Sequence, residues 1–223
     1  MWWLMGRERG SNPFTRISET KEPKQVFLLA CEGRHTERKY FLGIQENKAK
    51  LQILEYIEIE IFEKSNPDMS NPLKIFEELI AKIESKGIEA DEVCLIVDRD
   101  SDSFKEEQYI KVVEGCKAND FHLYLSNPNF ELWLLFHFID ELSSEEEDSF
   151  LYQKGEVAKK LQNYLKTNEL SRAKTFNKKI LFEHYIDRID NAIRVAKKYE
   201  DDIEKLKDKL GTNVYQLVEK LII

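Results

Sequence analysis

The sequence has 223 residues, which is enough for one sizeable domain or for a core with a smaller appendage. Hydrophobic residues make up 42% and charged residues 34% of the chain, a balance that excludes wholesale disorder. The formal net charge of -8 argues against a protein that coats nucleic acid through its overall field, although a local basic surface could still bind phosphates. No apolar run approaches the roughly 18 residues of a membrane span, so we expect no membrane partner. Three cysteines without metal-ligand spacing favour a reduced, cytoplasmic setting.

Residues 1–24 are rich in charge and in turn formers, which predicts a flexible leader before the folded chain. The apolar opening from Met1 to Met5 is too short for the core of a signal peptide. Met5 is an alternative start position to Met1.

Strand and helix patterns alternate after the leader. The run from Val26 to Cys31 is uniformly apolar, as in a strand buried on both faces, and we expect the central strand here. Thr36 to Gln45 has helical spacing, and Gly33 in the connecting loop would permit a tight turn. Leu54 to Phe62 alternates isoleucine with glutamate, which is typical of an edge strand with one solvated face.

The alternation continues through four more predicted elements. A turn-rich stretch leads into a helix from Leu73 to Lys86, which ends at Gly87. A strand from Val93 to Val97, a helix from Lys105 to Ala118 and a strand from Phe121 to Leu125 follow. A β/α series of this kind predicts an α/β fold with a mostly parallel sheet flanked by helices.

A change of composition near residue 140 predicts a boundary between an α/β core, residues 25–140, and a helical C-terminal extension, residues 141–223. The segment from Asp140 to Asp148 carries six acids and no base. From Gly155 to the end the apolar positions follow helical spacing, so no further strand is predicted.

Acidic side chains follow two of the predicted strands. Glu32 comes directly after the first strand, and Asp98 and Asp100 come after the third. In an open α/β sheet ligands bind in the crevice outside the carboxyl ends of the strands, so we expect these carboxylates to share one crevice. Mg²⁺ prefers oxygen ligands and would relieve the repulsion among them. The alternative is structural: Glu32 suits a first helical turn, and Asp100 suits a helix N-cap.

A turn at residues 126–129 leads into a strongly apolar helix and places Glu131 near the end of another strand. Glu131 could be an outer metal ligand, a general base or a cap carboxylate that accepts backbone N–H groups. Trp133 and Phe136 are interpreted as core residues, and His137 as a packed, hydrogen-bonded histidine rather than a ligand.

A basic stretch from Lys154 to Lys179 carries eight basic residues against two acids. Such a run usually forms a solvated helix face, but the nearby Tyr152 and Tyr164 keep a nucleic-acid surface open as the alternative. Arg99, between the two aspartates, could clamp a phosphate or pair with those acids. The candidate substrate-binding residues are Arg99, Asn127, Lys154, Lys159, Arg172 and Lys174.

Three motifs occur in a characteristic order. They are Leu29 to Gly33 with Thr36-Glu37 and Tyr40-Phe41, then Val97 to Asp100, then Ser126 to Trp133 with His137-Phe138. In order and spacing they resemble the RloB family of bacterial defence proteins. The similarity covers most of the chain from about Lys24, and its most specific part is the S-N-P-x-F-E-L-W element.

The resemblance implies both a fold and a metal. RloB proteins are found with restriction-modification and abortive-infection loci, and their core is similar to Toprim domains, in which one glutamate and a D-x-D pair bind Mg²⁺. On this resemblance Glu32, Asp98 and Asp100 take the metal-binding roles. Glu131 is a family-specific extra acid, and Lys154 is a phosphate-contacting cation.

These observations lead us to expect a nuclease that depends on Mg²⁺ or Mn²⁺ and defends against phage or foreign DNA. The metal would activate water, with Glu32, Asp98, Asp100 and Glu131 as catalytic residues. Expected partners are DNA or RNA and a partner defence protein such as an ATPase, and an oligomer is compatible. The alternatives are a non-catalytic sensor or adaptor that uses the same crevice, and a phosphate-transferring enzyme that acts on small molecules, which the basic stretch disfavours.

Overall fold

The computed structural model describes residues 24–100, 104–167 and 182–222, so the predicted leader lies outside the described residues except for Lys24. All elements predicted up to residue 125 are present, with ends displaced by at most a few residues. They are β1 (Gln25–Cys31), α1 (Thr36–Glu46), β2 (Ile57–Ile61), α2 (Pro72–Lys86), β3 (Glu92–Asp98), α3 (Glu106–Ala118) and β4 (His122–Asn127).

The second half of the chain is mainly helical, as its spacing predicts. Its elements are α4 (Glu131–Phe136), α5 (Ser144–Tyr152), α6 (Glu156–Thr167), 3-10 turns at Phe182–His184 and Ile186–Arg188, α7 (Ile189–Ala196), α8 (Ile203–Leu206), β5 (Gly211–Thr212) and α9 (Val214–Leu221). The prediction that no strand follows β4 is wrong, because β5 pairs with β4. Two residues are too few to produce a recognisable strand pattern.

The sheet has five strands in the order β2-β1-β3-β4-β5, with β2 at an edge as predicted. The first four strands are parallel, and β5 is antiparallel to β4. The middle strand is β3 rather than β1. After β1 the chain first builds β2 on one side and then crosses to build β3 on the other side. The connections from β1 and β3 therefore diverge, and the topological switch point lies between these two strands.

Helices cover both faces of the sheet because the interior strands are apolar on both sides. Phe27 and Leu29 belong to one buried cluster together with residues of α1, α4, α6, α7 and α9. Leu28 and Ala30 belong to a second cluster together with residues of α2 and α3. The first cluster runs continuously across residue 140, so helices from both halves of the chain share one core. No helix in the described ranges is long and apolar enough to cross a membrane.

Asn213 attaches the C-terminal segment to the sheet. Its side-chain Oδ1 accepts a hydrogen bond from the Leu125 backbone N–H at 2.6 Å, and its Nδ2 donates to the Leu123 carbonyl at 3.0 Å. The Asn213 backbone N–H also donates to the Leu125 carbonyl at 3.2 Å. The side-chain amide thus acts as an extra peptide unit along β4.

Asn213→Ala is expected to lower the free energy of unfolding by about 2–4 kcal/mol, because it leaves two buried backbone groups of β4 without partners. Urea unfolding followed by far-UV circular dichroism measures this loss. Asn119→Ala is the matched control, since the Asn119 amide donates to a single carbonyl at an exposed helix end. An equal loss in both variants would show that Asn213 is not a special attachment point.

Candidate metal centre

Glu32 and Asp98 meet at the switch point of the sheet. β1 and β3 are parallel neighbours, and the Glu32 backbone N–H donates to the Ile96 carbonyl at 2.9 Å, which continues their pairing past the end of β1. The Asp98 backbone N–H in turn donates to Glu32 Oε2 at 2.9 Å. The structure therefore places these two predicted residues side by side at the position where open α/β sheets bind ligands.

Glu131 and Asp98 are linked through the start of α4. The Phe130 backbone N–H donates to Asp98 Oδ1 at 2.8 Å, which holds the first turn of α4 against the end of β3. Glu131 is the first residue of that helix, and its negative charge contributes to raising the pKa of Asp98. Asp98 thus contacts the first turn of α4, and Glu131 brings a further carboxyl, whose pKa burial raises and a hydrogen bond from its own backbone N–H lowers.

The D-x-D segment alternates between the two faces of the sheet. Asp100 Oδ2 lies 3.2 Å from Lys154 Nζ, on the same side as the contact between Asp98 and Phe130. Arg99 points to the other layer and is only 6% exposed. Its Nη1 donates to the Phe104 carbonyl at 2.7 Å, and its guanidinium lies 5.1 Å from the centre of the Tyr109 ring. Arg99 is therefore held on the face of the sheet opposite the contact between Asp98 and Phe130.

Glu37 is a further acid of the site, and it occurs in the first sequence motif without a role assigned to it there. It is 3% exposed, and its Oε1 accepts a hydrogen bond from the Gly33 backbone N–H at 3.0 Å. A Cβ atom on Gly33 would lie 1.9 Å from Glu37 Oε2. Gly33 is therefore needed for the close approach of this carboxylate, whereas the sequence suggested only a tight turn. The available signal was an acid in the first turn of α1, where the helix dipole favours it.

The carboxyl groups raise one another's pKa. Burial is the main cause for Glu32, whose pKa rises to about 8, and the charges of Glu37 and Asp100 add to it. Burial and the neighbouring Glu131 raise the pKa of Glu37 to about 6. Burial, Glu37 and Glu32 together hold the pKa of Asp98 well above its usual range. A divalent cation would favour the ionised forms of these groups.

Lys64 supplies a positive charge next to this cluster. Its Nζ donates to the Glu32 carbonyl at 2.5 Å and to the Met69 carbonyl at 2.6 Å. Partial burial lowers the pKa of Lys64, and the nearby Glu37 carboxyl opposes that effect. Lys64 follows β2 closely, so it also lies at the carboxyl end of a strand, as Glu32 and Asp98 do. The sequence prediction missed Lys64 because it considered only acidic residues at the strand ends.

The donor chemistry of the cluster fits Mg²⁺, but the carboxylates do not converge as a closed cage. No three or more His, Cys, Asp or Glu side chains lie in metal-binding geometry within the described ranges. Glu32, Asp98 and Glu37 each accept a backbone N–H group. Mg²⁺ usually takes one or two protein carboxylates and completes its shell with water and substrate phosphate. The arrangement therefore suits an open site of that type.

The predicted substrate-binding residues are dispersed. Lys154 lies next to Asp100, whereas Lys159 pairs with Glu156 at 3.2 Å on α6. Asn127 is buried, and its Nδ2 donates to the Leu206 carbonyl at 2.8 Å, which secures α8 to the sheet. Arg172 and Lys174 lie outside the described residues.

The aromatic residues after β4 form the core, as predicted. Trp133 and Phe136 are fully buried. His137 Nδ1 lies 3.0 Å from the Trp133 carbonyl, and its Nε2 lies 3.1 Å from the Tyr40 hydroxyl. Burial lowers the pKa of His137 to about 3, so the ring is neutral at physiological pH. A donor at Nδ1 and an acceptor at Nε2 satisfy both contacts, which makes His137 a structural residue.

Comparison with protein families identifies the chain. The family described as RloB-like protein matches residues 27–221, which include the whole sheet from Phe27 onward and all described helices. The chain therefore belongs to the RloB-like family, as the motifs indicated. No curated protein and no solved structure matches the chain.

Proposed function

We propose that this RloB-like protein is a Mg²⁺-dependent phosphodiesterase with a Toprim-like core that cleaves nucleic acid. One observation carries the proposal: Glu32 and Asp98 are in direct contact at the switch point between β1 and β3. Nearby carboxyls with strongly raised pKa values are expensive to keep ionised in a fold without a cation to bind. Their accumulation at a ligand-binding position is therefore evidence for function.

Glu32, Asp98 and Asp100 would hold the ion through carboxylate oxygens. A bound divalent ion lowers the pKa of water and neutralises charge that develops on a phosphate, so no protein nucleophile is needed. Glu131, whose pKa is raised by burial, can accept a proton from the attacking water. Lys154 can leave Asp100 for a substrate phosphate, because an exposed ion pair contributes little stability.

The biological role follows from the family resemblance. Resemblance to proteins of restriction-modification and abortive-infection loci supports a role in defence against phage or foreign DNA. In that setting a partner defence protein such as an ATPase, or assembly into an oligomer, would control cleavage of DNA or RNA.

A non-catalytic adaptor is the second candidate function. It is favoured by the backbone N–H groups that already occupy Glu32, Asp98 and Glu37, since such contacts hold loops in place without any metal. An adaptor would bind a nucleotide or Mg²⁺ in the same crevice and change its assembly without turnover.

Titration calorimetry with Mg²⁺ and Mn²⁺ tests the metal centre. The wild type is expected to bind either ion, and Asp98→Ala/Asp100→Ala is expected to lose that binding because two of the three proposed ligands are removed. Asp187→Asn/Asp208→Asn is the matched control, since both aspartates are exposed and lie in surface ion pairs.

Absence of binding in the wild type would favour an adaptor that recognises another ligand. Binding that persists in Asp98→Ala/Asp100→Ala would place the ion elsewhere. Metal binding with a change in assembly but without cleavage of DNA, RNA or nucleotides would support the adaptor.

A further inference from the structure

We propose that a basic cleft beside Glu32 binds a backbone phosphate of the nucleic acid, next to the candidate metal centre. The basic cleft is defined by Arg34, Arg38 and Lys64. This inference rests on the proposed function for the identity of the ligand, and it adds a binding site for the chain that flanks the scissile bond.

The basic cleft lies between the carboxyl ends of β1 and β2. Arg34, Arg38 and Lys64 line it together with Glu63, and the remaining wall includes Cys31, Gly33, Ile61, Phe62 and Pro67. Three cations therefore share a narrow space with one acid, and Asp68 pairs with Arg34 beside it. Cationic side chains grouped in a concave surface attract an anion that can replace such acid partners.

The basic cleft borders the candidate metal centre directly. Lys64 Nζ is 2.5 Å from the carbonyl oxygen of Glu32, so a cation that lines the cleft is hydrogen-bonded to the backbone of a proposed metal ligand. Lys154 lies next to Asp100, which follows β3, whereas the basic cleft lies at the ends of β1 and β2. Cations thus flank the acidic cluster along the carboxyl edge of the sheet, and a polyanion that crosses this edge would meet a cation on each side of the metal.

The two arginines can exchange their present partners for a phosphate. Arg34 pairs with Asp68 at 2.8 Å and Arg38 pairs with Glu63, and the two acid side chains are 76% and 72% exposed. Pairs with such exposed acids are worth little, whereas a guanidinium binds phosphate oxygens through two parallel N–H bonds. Lys64 is held in place by two carbonyls, which leaves the third N–H of its ammonium group for an anion.

The side chains that line the basic cleft favour contact with a phosphate over contact with a base. The polar side chains of its lining are three cations and Glu63, with no amide among them, so the cleft offers contacts to a phosphate rather than to a base edge. The cleft therefore predicts binding that tracks the backbone and is insensitive to sequence.

Fluorescence anisotropy with a labelled 20-nucleotide single-stranded DNA, in EDTA and at several salt concentrations, tests the inference. Arg34→Gln/Arg38→Gln is expected to weaken binding at least about tenfold and to reduce the slope of log K against log salt by about 0.7, since the loss of one phosphate contact on a single strand removes about 0.7. Lys50→Gln/Arg194→Gln removes the same charge from surface ion pairs outside the lining of the basic cleft and should leave the slope unchanged.

Omission of metal separates this test from that of the proposed function, because the basic cleft can bind DNA even if the carboxylates bind no ion. Equal effects of both double variants, or no DNA binding by the wild type at low salt, would overturn the inference. Phenylglyoxal modification of the wild type, followed by peptide mass spectrometry, does not depend on any variant. DNA should protect Arg34 and Arg38 but not Arg194, and equal modification with and without DNA would also overturn it.

Discussion

Asp98→Asn is expected to reduce metal-dependent cleavage of nucleic acid at least about 100-fold, while the metal-free protein stays as stable as the wild type or becomes more stable. The reason is that Asp98 has two separable roles. Its Oδ1 accepts the Phe130 backbone N–H, and an asparagine oxygen can accept the same hydrogen bond. Its charge, which burial and neighbouring acids disfavour, is needed only for the ion.

Two measurements on the same preparations test this expectation. Cleavage of single-stranded and double-stranded DNA and RNA is followed in Mg²⁺ and in Mn²⁺, and thermal unfolding is followed in EDTA. Asp208→Asn is the matched control, since Asp208 is an exposed acid beside Lys207. Full cleavage by Asp98→Asn would remove Asp98 from the mechanism. Loss of both cleavage and stability would make it a structural residue instead.

The core of the candidate site could be predicted because its determinants are local. Each of Glu32 and Asp98 closes an apolar run, and a β/α alternation makes the strands parallel, so their ends meet at one edge. The period of two along an extended chain also placed Asp98 and Asp100 on one side. The same period places Arg99 on the opposite face of the sheet, so its direction was also predictable from the sequence.

The remainder depends on long-range packing. The burial of Glu37 requires the exact approach of α1 to Gly33, which no periodicity encodes. Lys64 becomes a neighbour of Glu32 only because β2 pairs with β1. β5 exists because Asn213 and Thr212 contact β4, about 86–90 residues earlier in the chain. Contacts between distant positions of this kind leave no pattern in a short window of sequence.

The second large expected effect is a fall in the stability of the metal-free protein as pH rises from about 4.5 to about 8. The pKa of Glu32 is about 8 in the fold and 4.5 as the ordinary value. Between these values the folded state holds a proton that the unfolded state has released, so rising pH favours unfolding, by up to about 1.4 kcal/mol per pH unit for one such group. Asp98 acts in the same direction, because its pKa is also raised.

Glu32→Gln isolates this contribution. Glutamine can accept the Asp98 backbone N–H as glutamate does but cannot ionise, so the variant should show a flatter dependence of unfolding free energy on pH. Urea unfolding in EDTA at pH 5, 6, 7 and 8 gives both curves, and Glu60→Gln, at an exposed position of β2, should follow the wild type. His137 is neutral in the fold because its pKa is lowered to about 3, so it makes the protein less stable as pH falls. This effect is common to all three proteins and cancels when their unfolding free energies are compared.

Added Mg²⁺ tests, over the same pH range, whether metal binding is linked to loss of protons from the carboxyl groups. The ion binds the deprotonated carboxylates, so the stabilisation that it gives the wild type should grow from pH 5 to pH 8, where the metal-free protein is weakest. In Glu32→Gln that gain should be smaller at every pH. Parallel curves for the wild type and Glu32→Gln in EDTA would mean that Glu32 is ionised in the fold without a metal, and its carboxyl would then give no electrostatic indication of a cation at the switch point.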